Sequence, residues 1–165
     1  MSNTFAKNQD AVEQALRLAI HYHAGQRDKE GKCYMLHLLR VMLACSTPEA
    51  MQAAVLHDVL EDTSATAEEL HAAGMSHEVV EAISLLTKQE SMRYEDYIVR
   101  LSCNELARQV KIADIRDNYR LDRVAYRPDH RHEDRQRIER YILSYQFLDG
   151  KLTQDEYLTG VASID

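Results

Sequence analysis

Only five glycines and two prolines interrupt this chain of 165 residues. So few breakers favour helices joined by short connections over a strand-rich sandwich, which needs many turns. The apolar residues recur accordingly. Val12, Leu16, Ala19 and Ile20 share helical spacing, in a helix that should end near Gly25. The charged stretch from Gln26 to Cys33 reads as a loop. Tyr34 to Cys45 reads as a short helix carrying Leu36, Leu39, Val41, Met42 and Leu43. Pro48 opens a helix that runs through Val55 and Val59 to about Thr63, since proline is tolerated in a first helical turn. Thr66 and Glu69 make a capping-box pattern, Gly74 closes that helix, and Ser76 caps the next, which holds Val79, Val80, Ile83 and Leu86. Tyr94 to Leu101 is amphipathic, and Asn104 caps a longer helix through Ile115. After the break at Arg127-Pro128-Asp129, a last major helix covers about Arg131 to Phe147. Asp149-Gly150 is a turn, and the rest, with Tyr157 and Leu158, is a short terminal helix or a tail. No segment alternates at period two for long. The expectation is an all-α bundle of seven or eight helices, with residues 1–165 forming one compact domain.

The formal net charge of -7 argues against a general nucleic-acid surface or an anionic membrane surface. It leaves room for a small phosphorylated ligand, because a metal and a few local basic groups can hold one. No apolar run approaches the roughly 18 residues of a membrane span, and Met1 to Lys7 lack the apolar core of a signal peptide. Cys33, Cys45 and Cys103 are odd in number and form no CxxC pair, which reads as reduced thiols in the cytoplasm.

Chemistry concentrates between Ala53 and Thr63. An apolar run enters His57-Asp58, and Glu61-Asp62 follows. On a continuous helix, residues four apart share a face, which would place His57 near Glu61 and Asp58 near Asp62. Three carboxylates and an imidazole so close would repel one another, and a bound cation is the simplest remedy. His37 is a lone polar residue in an apolar helix. Asp114 follows Val110-Lys111-Ile112-Ala113, with Asn118 one turn on. Two imidazoles and two carboxylates suit Mn, Fe, Zn or Mg. The bland alternatives are a hydrogen-bonded core histidine at His37, a buried ion pair at His57-Asp58 and a solvated helix end at Glu61-Asp62. The residues taken singly leave these open. His21, His71 and His77 read as surface histidines and His23 as structural. The Arg-rich stretch from Arg116 to Arg140 reads either as a salt-bridged solvated face or as a wall for polyphosphate. Tyr34 and Tyr119 are candidates to stack on a base.

In this order the pieces resemble the HD phosphohydrolase superfamily, and within it the alarmone (ppGpp) hydrolases: the hydrolase domain of RelA/SpoT proteins and the small stand-alone hydrolases. The resemblance lies in His23-Ala24-Gly25-Gln26, in Gly31 to His37, in Leu56-His57-Asp58 through Glu61-Asp62-Thr63, in Thr66 to Leu70, in Leu86-Thr87-Lys88, and in Val110 to Asp114 with Asn118. It spans about residues 10 to 121.

The resemblance implies an ion, usually Mn, held by His37, His57, Asp58 and Asp114, with Glu61 and Asp62 as the catalytic acidic pair. It places Asn118 near a ribose and Lys29, Thr87 and Lys88 near the nucleotide. Arg27, Lys29 and Lys111 are available to neutralise phosphate. The sequence departs from the family at Asp28, where a substrate-contacting Arg is usual, with Arg27 one residue early. It departs again at Cys33, Leu38 and Ile115. The expected activity is metal-dependent release of pyrophosphate from guanosine tetra- or pentaphosphate. The alternatives are hydrolysis of another nucleotide, such as a nucleoside monophosphate or NADPH, and a nucleotide-binding module without turnover.

Overall fold

The computed structural model describes residues 4–120 and 127–164, with side chains from residue 10 onward. Among the described residues there are ten α-helices, one 3-10 turn and no β-strand. They are α1 (Thr4–Tyr22), α2 (Met35–Leu43), α3 (Pro48–Val55), α4 (Val59–Asp62), α5 (Ala67–Ala72), α6 (His77–Leu86), α7 (Tyr94–Ser102), α8 (Glu105–Asn118), α9 (Arg131–Leu148) and α10 (Gln154–Ala162). The all-α bundle expected from the sequence is what forms. Arg123 and Asp122 of the Arg-rich stretch lie outside the described residues.

Helix α3 is the hub, with α1, α2, α6 and α8 all packed on it. Its sequence explains why. Ala50, Ala53 and Ala54 are fully buried, and such small side chains let neighbouring helices approach closely. Thr47 caps α3 by accepting from the Ala50 N–H at 3.2 Å, and Pro48 fills the first turn. The expected caps at Thr66, Ser76 and Asn104 each accept a backbone N–H, and Thr66 with Glu69 completes the capping box.

The count of helices exceeds the expectation for two reasons. First, the helix expected from Pro48 to about Thr63 breaks at Leu56–Asp58. His57 Nδ1 donates to the Ala54 carbonyl at 2.7 Å, occupying the acceptor that the Asp58 N–H would use in a continuous helix. The chain turns instead through a Val59 N–H bond to the Leu56 carbonyl, and α4 starts afresh. Second, the residues after Gly150 form a helix rather than a tail. Thr153 and Glu156 build a second capping box at its start. Tyr157 is fully buried and its ring stacks on Phe147 at 4.9 Å. Gly160 lets α10 lie against Leu143, whose methyl groups would come within 3.1 Å of any Cβ there.

Ile20, Leu36 and Leu43 are exposed, at 58%, 48% and 71%. Helix α2 is apolar almost all round, but only one of its faces meets α3 and α8. No helix among the described residues is long and apolar enough to cross a membrane. All three cysteines are free thiols.

Candidate metal centre

Three separate elements bring the predicted ligands together: α2 supplies His37, the 56–58 turn supplies His57 and Asp58, and α8 supplies Asp114. The break before α4 matters here. On a regular helix, adjacent residues diverge by about 100°. In the turn, His57 Nε2 and Asp58 Oδ2 sit 3.0 Å apart. His37 Nε2 lies 3.4 Å from Asp114 Oδ1 and 3.9 Å from Asp58 Oδ2. His57 Nε2 lies 3.7 Å from Asp114 Oδ1. Ligand atoms of His37, His57 and Asp58 all fall within 4.8 Å of one another, a group that can hold a metal ion.

The two imidazoles are prepared for this. Each has its Nδ1 engaged elsewhere, His57 with the Ala54 carbonyl and His37 with Asp117 Oδ2 at 2.7 Å. With Nδ1 donating, Nε2 carries the lone pair, and both lone pairs face the two carboxylates. His57 Nε2 is buried and has no hydrogen-bond partner. A buried lone pair facing carboxylates is unfavourable, so Nε2 takes up either a proton or a cation, and a divalent cation at that point satisfies all of these groups at once. The donor set fits such an ion.

Charge is balanced by design at the rim. Tyr34 donates its hydroxyl to Asp58 Oδ2. Lys111 Nζ donates to Asp114 Oδ2 at 2.9 Å, and Asn118 Nδ2 donates to Asp114 Oδ1 at 2.6 Å. Burial works against the ionised forms of Asp114 and Lys111, but their mutual attraction wins. It holds the carboxyl well below its usual range and the ammonium well above its own. Burial likewise opposes a charged His57, and the Asp58 and Asp114 carboxylates override it, raising the imidazole well above its ordinary value. The same carboxylates and burial push the Tyr34 hydroxyl up, so it stays a donor.

No protein-family model matches the chain. Curated relatives do. The chain is 31% identical over 91 residues to guanosine-3′,5′-bis(diphosphate) 3′-pyrophosphohydrolase of Vibrio cholerae, a stretch covering 53% of this chain and 13% of that protein. It is 34% identical over 122 residues to the Drosophila melanogaster guanosine-3′,5′-bis(diphosphate) 3′-pyrophosphohydrolase MESH1, covering 65% of this chain and 66% of that one. The matched stretches thus span less than two thirds of either relative. A solved structure described as a metazoan orthologue of SpoT that hydrolyses ppGpp superposes with a TM-score of 0.67 at 20% identity, covering 93% of both chains, and shows the shared fold. The chain is thus similar in sequence to ppGpp 3′-pyrophosphohydrolases and shares the fold of one of them.

The centre opens into a cleft of about 440 Å³, with Glu61 and Asp62 on its wall. Both are anchored. Glu61 Oε2 accepts the Lys88 backbone N–H at 2.9 Å, and Asp62 Oδ2 accepts from Gln26 Nε2 at 2.9 Å. Gln26 is held in turn by the buried His23, whose Nδ1 lies 2.5 Å from Gln26 Oε1. The expected substrate residues divide. Arg27, Lys29, Lys111 and Asn118 line the cleft, although the last two also bond Asp114. Thr87 and Lys88 are not among its lining residues. Thr87 ends α6 by donating to the Ile83 carbonyl, and the Lys88 ammonium bonds the carbonyls of Gln89 and Met92.

Asp28 lines the cleft, but its carboxylate is used to build the loop, accepting the N–H groups of Glu30 and Lys32. Tyr34 packs between the rings of His23 and His37, so its hydroxyl faces Asp58. The Arg-rich stretch is mostly paired at the surface, as in Arg127 with Asp134 and Arg135 with Glu139. Arg137 is the exception. Although paired with Asp134, it reaches the cleft together with Tyr141, one helical turn on. The sequence reading assigned no separate site role to Arg40, Asp117 or Tyr141; Gln26 entered only within the His23–Gln26 stretch of the resemblance, and Arg137 only within the Arg-rich wall. The available signal was position: Asp117 follows Asp114 by three residues, and Tyr141 follows Arg137 by four.

Proposed function

We propose that this chain hydrolyses guanosine-3′,5′-bis(diphosphate) and its 5′-triphosphate analogue at the 3′ position, releasing pyrophosphate and leaving GDP or GTP. The observation that carries this reading is the convergence of His37, His57, Asp58 and Asp114 beside the anchored Glu61-Asp62 pair in one cleft. The four residues hold one divalent ion, Mn2+ by family resemblance. When bound, that ion polarises a phosphoryl oxygen and makes a water more acidic.

The chain's own groups do the rest. Glu61 or Asp62 takes the proton of the attacking water and directs its oxygen at the phosphorus bonded to the 3′ oxygen. The bond from that phosphorus to the 3′ oxygen breaks, and the ribose oxygen takes a proton. Lys29, Arg27 and Arg137 face the phosphates with charge-assisted donors, and Lys111 and Asn118 keep the Asp114 carboxylate aimed. The overall negative charge fits a small nucleotide rather than a polynucleotide partner.

Asp28 favours one second reading, hydrolysis of a nucleoside monophosphate or NADPH, because an acidic loop-building residue and Glu30 line the cleft. The test is the purified chain with Mn2+ and each of ppGpp, NADPH and nucleoside monophosphates. Pyrophosphate from ppGpp alone is expected. Turnover only of the others would establish the second reading. An Asp58→Ala variant that keeps full activity on whichever nucleotide the wild type hydrolyses would overturn the mechanism in both.

A further inference from the structure

The mechanism makes no use of Asp117, yet its carboxyl group is buried, with only 5% of the residue exposed. It lies on α8 one turn beyond Asp114. Its Oδ2 stands 2.7 Å from His37 Nδ1, and its Oδ1 accepts from Arg40 Nε at 2.5 Å. Arg40 Nη2 adds a second bond to Oδ2 at 3.0 Å, making the pair bidentate. Arg40 sits on α2 one turn after His37, and about a third of its side chain reaches solvent.

We infer that Asp117, clamped by Arg40, is a positioning residue that sets the affinity of His37 for the metal ion; this rests on the reading of His37 as a ligand. The two imidazoles are fixed differently. His57 donates to a neutral backbone carbonyl, which no side-chain change can remove. His37 donates to a carboxylate, a stronger acceptor that makes the opposite nitrogen a better electron donor. The carboxylate also selects the tautomer, because an acidic oxygen beside Nδ1 requires a proton there and leaves Nε2 bare. Burying a third carboxylate beside Asp58 and Asp114 is costly without a cation of its own, and Arg40 supplies one. The planar guanidinium contacts both oxygens, so the carboxylate cannot rotate away from the ring. The ring, the carboxylate and the guanidinium therefore act as one unit bridging α2 and α8. Partners of this kind typically contribute 10–100-fold in metal affinity.

The experiment is calorimetric titration of Mn2+ into the full chain, comparing wild type with Asp117→Asn and Asp117→Leu. Asparagine keeps the shape and removes the charge; leucine removes the acceptor. The expected result is Mn2+ affinity weaker by about 10-fold for Asn and by up to about 100-fold for Leu. A merely structural Asp117 would lower the melting temperature of both variants and leave the affinity of the folded protein within twofold, which overturns the inference. Wild type that takes up no Mn2+ overturns the metal reading itself. Nitrogen-15 spectra of wild-type protein loaded with Zn2+ test the same point without a variant. His37 should be protonated at Nδ1, and an unprotonated Nδ1 there overturns the inference.

Discussion

Replacing Lys111 with methionine asks whether the site is built around a cation. Lys111 Nζ sits 2.9 Å from Asp114 Oδ2 and 5.3 Å from the centre of the Tyr97 ring, and its side chain is 14% exposed. Methionine keeps the length and removes the charge, leaving Asp114 buried beside Asp58. Breaking a buried ion pair by removing one partner costs about 3–5 kcal/mol. Asn118 still donates to Asp114 Oδ1, so the lower end applies. At about 2–4 °C per kcal/mol for a chain of this size, a loss of about 3 kcal/mol lowers Tm by roughly 6–12 °C. That loss belongs to protein in chelator. With saturating Mn2+ the ion itself compensates Asp114, so the variant should lose distinctly less and, by linkage, bind the ion more tightly. Paired thermal melts of both proteins, in EDTA and in Mn2+, give the four numbers. Equal losses with and without the ion would refute the reasoning, as would no loss in EDTA.

Other substitutions probe the cleft. Gln26→Leu removes the amide that donates to Asp62 and should lower kcat by up to about 100-fold with little change in KM, read from steady-state kinetics on ppGpp. Arg137→Met removes a charged donor from the cleft and should raise KM for a polyphosphorylated nucleotide by about 10-fold or more, since such a bond contributes about 1.5–3 kcal/mol. An unchanged KM would place Arg137 outside the substrate's reach. The lowered Asp114 pKa carries a definite sign. The stability it contributes is fully present above the ordinary carboxylate pKa of about 3.9 and is lost as pH falls through its depressed folded value. Urea melts in chelator should show the difference between wild type and Asp114→Asn holding steady from about pH 5.5, where His57 is charged in both folded and unfolded chains, to about 4 and closing only below that.

The helices were legible because so few residues oppose them and because Thr66, Ser76 and Asn104 announce their caps locally. The convergence of His37, His57 and Asp114 was legible from their standing as polar interruptions of apolar runs, the pattern that a ligand on a core-facing helix would leave. The turn at Leu56–Asp58 was not, since it depends on a side chain taking the Ala54 carbonyl, and helical spacing predicts continuity there. The anchoring of the acidic pair also escaped. Gln26 and Asp62 are 36 residues apart, and His37 and Asp117 are 80 apart, so only the packing of the helices brings them together. Asn118 and Lys111 were expected to serve substrate. Proximity in the helix gives each a bond to Asp114 first.

The most direct test of the ion at the heart of the account is anomalous diffraction from crystals of the chain soaked with Mn2+. One strong peak is expected at roughly 2–2.3 Å from Nε2 of His37, Nε2 of His57 and carboxylate oxygens of Asp58 and Asp114. A peak elsewhere, or none in crystals that bind no Mn2+ at saturating concentration, would contradict it.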